Sequence, residues 1–371
     1  MPEAGTLRVA THRGTVASLA AAVAVVVLVA GIAGPAGARI RARRVAGGLR
    51  RPVAFAFGPN DRIFYVEKDT GQIRAMNRRG RNDHRFFQVS RIDGSGERGL
   101  LGIALHPGFR RSPFVYVYAT RRAGGRLRNQ ILRIRDRHGR GRHARVIFSS
   151  PASSSPYHNG GRILFGPDGM LYAIVGEGHD PAKAQQLGTD QGKILRMTPT
   201  GAVPSDNPLG HRRIYAYGIR NSFGFDFDPR TGDLWETENG PECNDELNRI
   251  VPGGNYGWGP SESCSGTAPQ DTNRDGPNPR LPLRWYTPTI APTGMAFCRG
   301  CELGRASDGA LFFGAVNTGD IRRVRLNAAR DDVRRQDVVL HHGGGVLSME
   351  SGPGGRLYFS DNAGIFRLTR G

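Results

Sequence analysis

Lysine is nearly missing from this chain. Only Lys68, Lys183 and Lys193 stand among 52 lysines and arginines, so the formal charge of +20 is almost wholly arginine. A surplus of that size raises nucleic acid or an anionic surface as a partner. The densest basic stretch, Arg121 to Val146, alternates apolar and basic residues around Ile131 to Arg135, which reads as a strand with one solvated face. It lacks the aromatic interleaving of single-stranded nucleic-acid platforms, and no nucleic-acid partner is expected. Cysteine is scarce too. Cys243, Cys264, Cys298 and Cys301 offer one C-x-x-C pair, too little for a four-cysteine zinc site. In an exported chain an even number points to disulfides, and Cys243 with Cys264 and Cys298 with Cys301 is the pairing expected of the three possible.

Charge is absent altogether from Gly14 to Ala38, with Arg8 and Arg13 before this run and Arg39 directly after it. Its apolar core ends in Pro35 and then Ala36-Gly37-Ala38, the small-x-small pattern of a signal-peptidase site. Residues 1–38 read as a signal peptide cleaved near Ala38. An uncleaved membrane anchor is the competing reading, because the run approaches the roughly 20 residues that cross a bilayer. Either way the remainder, 39–371, is expected outside the cytoplasm.

What the sequence has in abundance is glycine (53) and proline (24), which favour many short strands joined by turns. One pattern, a Pro or Asp/Gly turn followed by an apolar-aromatic strand, occurs six times. It begins at Phe57, Leu105, Phe165, Phe227, Ala306 and Ser351. The prolines, or the matching Ser307, lie roughly 45 to 80 residues apart, the period of a four-stranded sheet plus loops. A hairpin of this kind cannot bury both faces alone. The economical solution is an all-β, six-bladed β-propeller of four-stranded antiparallel blades over 39–371, with a pair of β-sandwiches as the alternative.

The stretch from Ile214 to Pro260 concentrates the chemistry. Arg220-Asn221 stands where a short loop leads into a sheet, and a Gly240-Pro241 step follows Glu238 and Asn239. Proline beside glycine can turn successive carbonyl oxygens toward one point, as hard cations such as calcium require. The Ser/Pro loop from Ser150 to Asn159 delivers His158 just before a strand. Farther on, Asp271, Asn273, Asp275 and Gly276 spell D-x-N-x-D-G, the first half of a calcium loop. The twelfth position is Pro282 rather than Glu, which rules out an EF-hand and leaves a possible second calcium or a turn of Asx caps.

Several segments together carry a family resemblance. They are GERGLLGIALHPGF from Gly96, YHNGGRILFGPDGMLYAIVGEG from Tyr157, QGKILRMTPTGAVPSDNP from Gln191, YGIRNSFGFDFDP, ENGPECNDELNRIVPGGNYGW, and PTIAPTGMAF from Pro288. In this order the chain resembles the glucose/sorbosone dehydrogenases, the soluble aldose sugar dehydrogenases dependent on pyrroloquinoline quinone (PQQ). The resemblance implies oxidation of an aldose at its anomeric carbon to the lactone, with PQQ over the propeller axis, calcium, and an external electron acceptor. It implies His158 as general base, Glu177 as its acidic partner, and Arg220 on the quinone oxygens. Asn221 and Thr289 would be further cofactor contacts, and the carbonyls of Gly240 and Pro241 calcium ligands.

The sequence departs from the family where the three cofactor carboxylates are gripped. The family's Gln position is Glu97, its Lys position is Asn317, and its arginine pair falls at Gly345 and Leu347, with Arg322 and Arg323 near Asn317. Two other readings follow. One is an exported propeller without redox activity that binds carbohydrate or a protein partner. The other is a calcium-dependent lactone hydrolase on a similar ring.

Overall fold

The computed structural model describes residues 39–371; the signal-peptide reading of 1–38 lies outside the described residues. They form six four-stranded antiparallel sheets. Blade 1 runs from β2 (Ala54–Gly58) to β5 (His84–Gln88), and blade 2 from β6 (Leu100–Leu105) to β9 (Arg140–Pro151). Blade 3 runs from β10 (Ile163–Phe165) to β13 (Ile214–Tyr217), and blade 4 from β14 (Ser222–Phe227) to β17 (Arg284–Tyr286). Blade 5 spans β18 (Pro292–Phe297) to β21 (Val333–His341), and blade 6 begins at β22 (Ser348–Ser351). The first strand of the chain, β1 (Ile40–Gly47), completes blade 6 by pairing with the last, β24 (Gly364–Arg370). Both ends of the described chain are thereby held in one sheet.

Six buried clusters explain why six sheets close into a ring. Each cluster joins two neighbouring blades and no others. Phe64, Val66 and Ile73 of blade 1 meet Leu100, Val115 and Val117 of blade 2, and Tyr116 and Ile131 of blade 2 meet Leu171 and Leu195 of blade 3. Ile174 and Ile194 then pack on Phe225 and Leu234, and Trp235 and Leu247 on Phe297 and Phe313. Phe312 and Ile321 meet Met349 and Phe359, and Tyr358 and Ile365 return to Phe55 and Tyr65 of blade 1. At about 1.5–3 kcal/mol for each fully buried large apolar side chain, an open ring would leave one whole cluster in water. The β-sandwich alternative has no such cycle.

All six repeats fall at the same place in the blade. Each spans the turn from the innermost strand to the second, as Pro167-Asp168-Gly169 does between β10 and β11 (Leu171–Val175). Gly169, at φ +75, takes a left-handed turn that a branched side chain would resist. Because strands alternate in direction, these six turns share one end of the ring. The loops entering each innermost strand, and those between second and third strands, share the other.

The cysteines pair as expected. Cys243–Cys264 ties the turn after blade 4's second strand to the long loop before β17, and Cys298–Cys301 closes a short loop in blade 5. Both point to an extracytoplasmic environment. Among the described residues no helix is long and apolar enough to cross a membrane.

Candidate active site

Chain direction gathers the predicted site at the end opposite the repeats. His158 lies on the loop into β10 and Glu177 follows β11; Arg220 and Asn221 directly precede β14. Gly240 and Pro241 link β15 (Leu234–Glu238) to β16 (Asp245–Ile250), Thr289 precedes β18, and Glu97 precedes β6. Asn317 joins β19 (Leu311–Ala315) to β20 (Asp320–Leu326) at the same end.

His158, Glu177 and Arg220 are stitched together through the backbone. The Glu177 N–H donates to the Arg220 carbonyl at 2.8 Å, and the Gly178 N–H to the His158 carbonyl at 3.1 Å. His158 Nδ1 meets the Glu177 carboxylate directly. A carboxylate only accepts, so the neutral ring carries its hydrogen on Nδ1 and leaves the Nε2 lone pair free. His158 itself is held at φ +55, a strained value for a non-glycine residue. Its N–H donates to Glu97 Oε2 at 2.8 Å. The neighbouring Gly176 is needed there, because a Cβ would lie 2.5 Å from the His158 carbonyl oxygen. The His179 ring packs beside the His158 ring with centroids 4.7 Å apart.

Arg220 is embedded in carboxylates. Burial pulls its guanidinium below the ordinary value, against the charges of Glu177, Glu238, Glu97 and Asp245. Nη1 donates to the Asn239 carbonyl at 2.9 Å, the guanidinium carbon stands 5.3 Å from the Trp258 ring centroid, and Nε is buried without a protein partner. The backbone N–H of Arg220 donates to Glu238. Burial raises Glu236 to about 7 and Glu246 to about 8, and pushes Glu238 well above the carboxylate range with help from those two neighbours. Asp245 fixes the adjacent turn: Oδ1 accepts from Gly240 N–H at 2.8 Å, and Oδ2 from Ile290 and Ala291 N–H at 2.6 and 2.8 Å. The carbonyl oxygens of Gly240 and Pro241 accept no hydrogen bond from the described residues.

A cavity of about 330 Å³ runs along the axis beside this group, lined by residues of all six blades. Glu97 and Asn239 form part of its wall while bonding outward to the His158, Asn221 and Arg220 group. A larger cavity of about 860 Å³ opens at the other end, among Phe57, Phe165 and Phe227 of the repeats, away from His158 and Arg220.

Not every residue singled out in the sequence converges. Glu97 spends one oxygen as a brace, accepting from His158 N–H and, at 3.0 Å, from Asn221 Nδ2. Thr289 is half-buried and Asn317 exposed, and neither bonds to the His158, Glu177 and Arg220 group; like those three, neither is on the wall of the axial cavity. Arg322 faces the Tyr286 ring, and Arg323 pairs with Asp337 and Ser307. Asp271, Asn273 and Asp275 each have their own protein donor, from Asn244 Nδ2 at 2.5 Å, Thr272 Oγ1 at 2.8 Å and Ser261 N–H at 2.8 Å. Among the described residues no three His, Cys, Asp or Glu side chains assemble into a metal-binding group.

Sequence reasoning missed Arg98, whose buried guanidinium donates to the carbonyls of Ser153 at 2.7 Å and Ser155 at 2.9 Å and so holds the His158 loop. It missed Lys193, whose ammonium meets the carbonyls of Lys183, Ala184 and Gln191 at 2.8, 3.0 and 2.6 Å beneath the Glu177 loop. It also missed Arg51, Lys68 and Arg162 on the cavity wall. The one available signal was that Lys68 and Lys193 are two of only three lysines.

A family model described as glucose / sorbosone dehydrogenase matches residues 49–370. The chain belongs to that family. Among curated relatives of this glucose/sorbosone dehydrogenase family member, quinoprotein glucose dehydrogenase B of Acinetobacter calcoaceticus is 33% identical over 57% of this chain; the match spans half of that protein. Aldose sugar dehydrogenase YliI of Escherichia coli strain K12 is 28% identical over 84% of this chain and 86% of its own length. The solved PQQ-bound aldose sugar dehydrogenase of Streptomyces coelicolor superposes with a TM-score of 0.76 at 28% identity, covering 90% of this chain and 99% of that one.

Proposed function

We propose that the protein is an exported, PQQ- and calcium-dependent oxidoreductase that converts aldoses to lactones at the anomeric carbon and passes electrons to an external acceptor. The observation that carries this reading is the His158–Glu177 pair, bonded through the backbone to a buried Arg220 with an unpartnered Nε, and linked to the axial cavity through the wall residues Glu97 and Asn239. The residues suit such a cofactor. An unpartnered guanidinium N–H favours a quinone oxygen, and two carbonyl oxygens without protein donors suit a hard cation at Gly240 and Pro241.

When bound, PQQ supplies the two-electron hydride acceptor and calcium the Lewis acid that polarises it. The protein's task is then to move one proton and hold charge. His158 Nε2 takes the proton of the anomeric hydroxyl as the C1 hydride departs and the C1–O double bond of the lactone forms. Glu177 keeps the ring in the tautomer that leaves Nε2 free, and stabilises the imidazolium that results. Arg220, fixed by Asn239 and Trp258, offers preoriented positive charge where negative charge gathers. Glu97 keeps His158 and Asn221 in register through a single carboxylate oxygen.

The test is reconstitution of the purified protein with PQQ and calcium, followed by dye reduction over an aldose panel and identification of the product. Lactone formation supports the reading. PQQ that binds without turnover on any aldose would favour the propeller that binds carbohydrate or a protein partner without redox chemistry.

A further inference from the structure

The walls of the axial cavity are chemically lopsided. Blades 4, 5 and 6 contribute Phe223, Ala291, Val316 and Leu347 together with the uncharged polar residues Asn239, Thr293 and Asn362, and no charged side chain. Blades 1 and 3 contribute three cations, Arg51, Lys68 and Arg162; Glu97 of blade 2 is the one carboxylate on the wall itself, and Asp69 and Glu350 stand behind the cations as partners.

The two cations of blade 1 are held as a pair. Asp69 Oδ1 accepts from Lys68 Nζ at 2.8 Å, and Asp69 Oδ2 lies 3.2 Å from Arg51 Nη1. Two positive charges thus share one negative charge, which leaves a net cation at the rim. Lys68 Nζ also donates to the Gly94 carbonyl at 2.8 Å, so its side chain is anchored and buried. Arg51 is held at φ +48, a strained value for arginine. It is kept there from two sides: its N–H donates to the Asn362 carbonyl of blade 6 at 3.0 Å, and its carbonyl accepts from the Lys68 N–H at 3.3 Å. Arg162 donates to Ser348 Oγ at 2.9 Å and to the Met349 carbonyl at 3.2 Å, pairs with Glu350, and keeps a buried Nε with no partner.

We infer that this cavity takes a ligand bearing several carboxylates, gripped from blades 1 and 3 by Arg51, Lys68 and Arg162 while its remaining face meets the uncharged wall of blades 4 to 6. This rests on the proposed function, with PQQ as the ligand, and assigns its carboxylate anchors to residues that replace those missing at Asn317, Gly345 and Leu347. Several charge-assisted contacts in a partly closed cavity bind a polyanion strongly and weaken as salt screens them.

The experiment is calorimetric titration of PQQ into the purified, calcium-loaded protein and its Arg51→Gly variant at low and at raised salt. Glycine accepts φ +48 without strain, so the variant removes the charge without endangering the fold. Binding to Arg51→Gly at least tenfold weaker, with a shallower salt dependence than wild type, supports the inference. Lys68→Met, checked for an unchanged melting transition, should show the same direction. Equal affinity of wild type and Arg51→Gly would overturn the anchor assignment and leave the cofactor reading standing. No binding of PQQ to the wild type would overturn both.

Discussion

Across the axis, blades 3 and 4 differ sharply from blades 5 and 6. The first pair carries His158, Glu177, Arg220, Asn221 and the Gly240-Pro241 turn, each braced by neighbours such as Glu97, Asp245 and Trp258. The second pair contributes Ala291, Thr293, Val316, Leu347 and Asn362 to the wall of the axial cavity, none of them charged. One side carries the residues to which the proposed function gives proton transfer and charge stabilisation, whereas the other places no cation on the cavity wall. In a ring, each blade brings its own loops to the axis, so the side chains on one arc can change while those on another stay.

The largest effect should come from the first side. His158→Gln removes the base without disturbing the cavity wall, and turnover of the reconstituted protein should fall by about 10²–10⁴-fold while PQQ affinity changes little. If affinity collapsed with turnover, His158 would belong to the gripping side instead. Next in size, Arg220→Ala should weaken PQQ binding by roughly 10- to 100-fold in calorimetry, the effect of one charge-assisted contact in a buried site.

Glu97 separates the two roles more finely. Glu97→Ala leaves His158 N–H and Asn221 Nδ2 without their shared acceptor, and should lower turnover by about tenfold. Glu97→Gln keeps an acceptor oxygen and removes a negative charge from the wall, so turnover should persist and PQQ affinity should rise; a fall in affinity would show that the carboxylate repels nothing. On the bare side, Asn317→Lys should tighten binding about tenfold if a cation there reaches the cofactor.

The smallest effect concerns Glu350, which joins blade 6 to Arg162 of blade 3 across the axis. Burial raises its carboxyl to about 7, with Arg162 opposing and Asp226 adding to the shift. A folded-state value above the unfolded one means that the native state binds the extra proton. Its contribution is therefore complete below the unfolded carboxylate range and is lost as pH rises through about 7. The melting temperature should decline between about pH 5 and 8, and Glu350→Gln should flatten that decline.

The ring was legible because its turn chemistry is repeated. Each of six apolar strands follows a turn that only a few residue types can make, and the period survives the two long loops. His158, Glu177, Arg220 and Gly240 could be singled out because they lie in short segments whose neighbours constrain them, and the strand order brings them to one end of the ring. The rest depends on closure. Arg162 and Glu350 lie 188 positions apart and meet only across the axis. Glu97 stands in the sequence only as a departure from the family's Gln, and its service as a brace depends on Asn221, 124 positions away. Arg51 reads as one arginine among many until the ring sets it beside Asp69 at the cavity mouth.

The most direct test of the central claim is rapid-mixing spectroscopy of the PQQ- and calcium-loaded protein against an aldose in the absence of any external acceptor. The account predicts that sugar bleaches the oxidised-quinone absorbance in a single turnover, and that His158→Gln with PQQ equally bound stays oxidised over the same interval. Bound PQQ that no aldose reduces, or reduction at the same rate in His158→Gln, would contradict it.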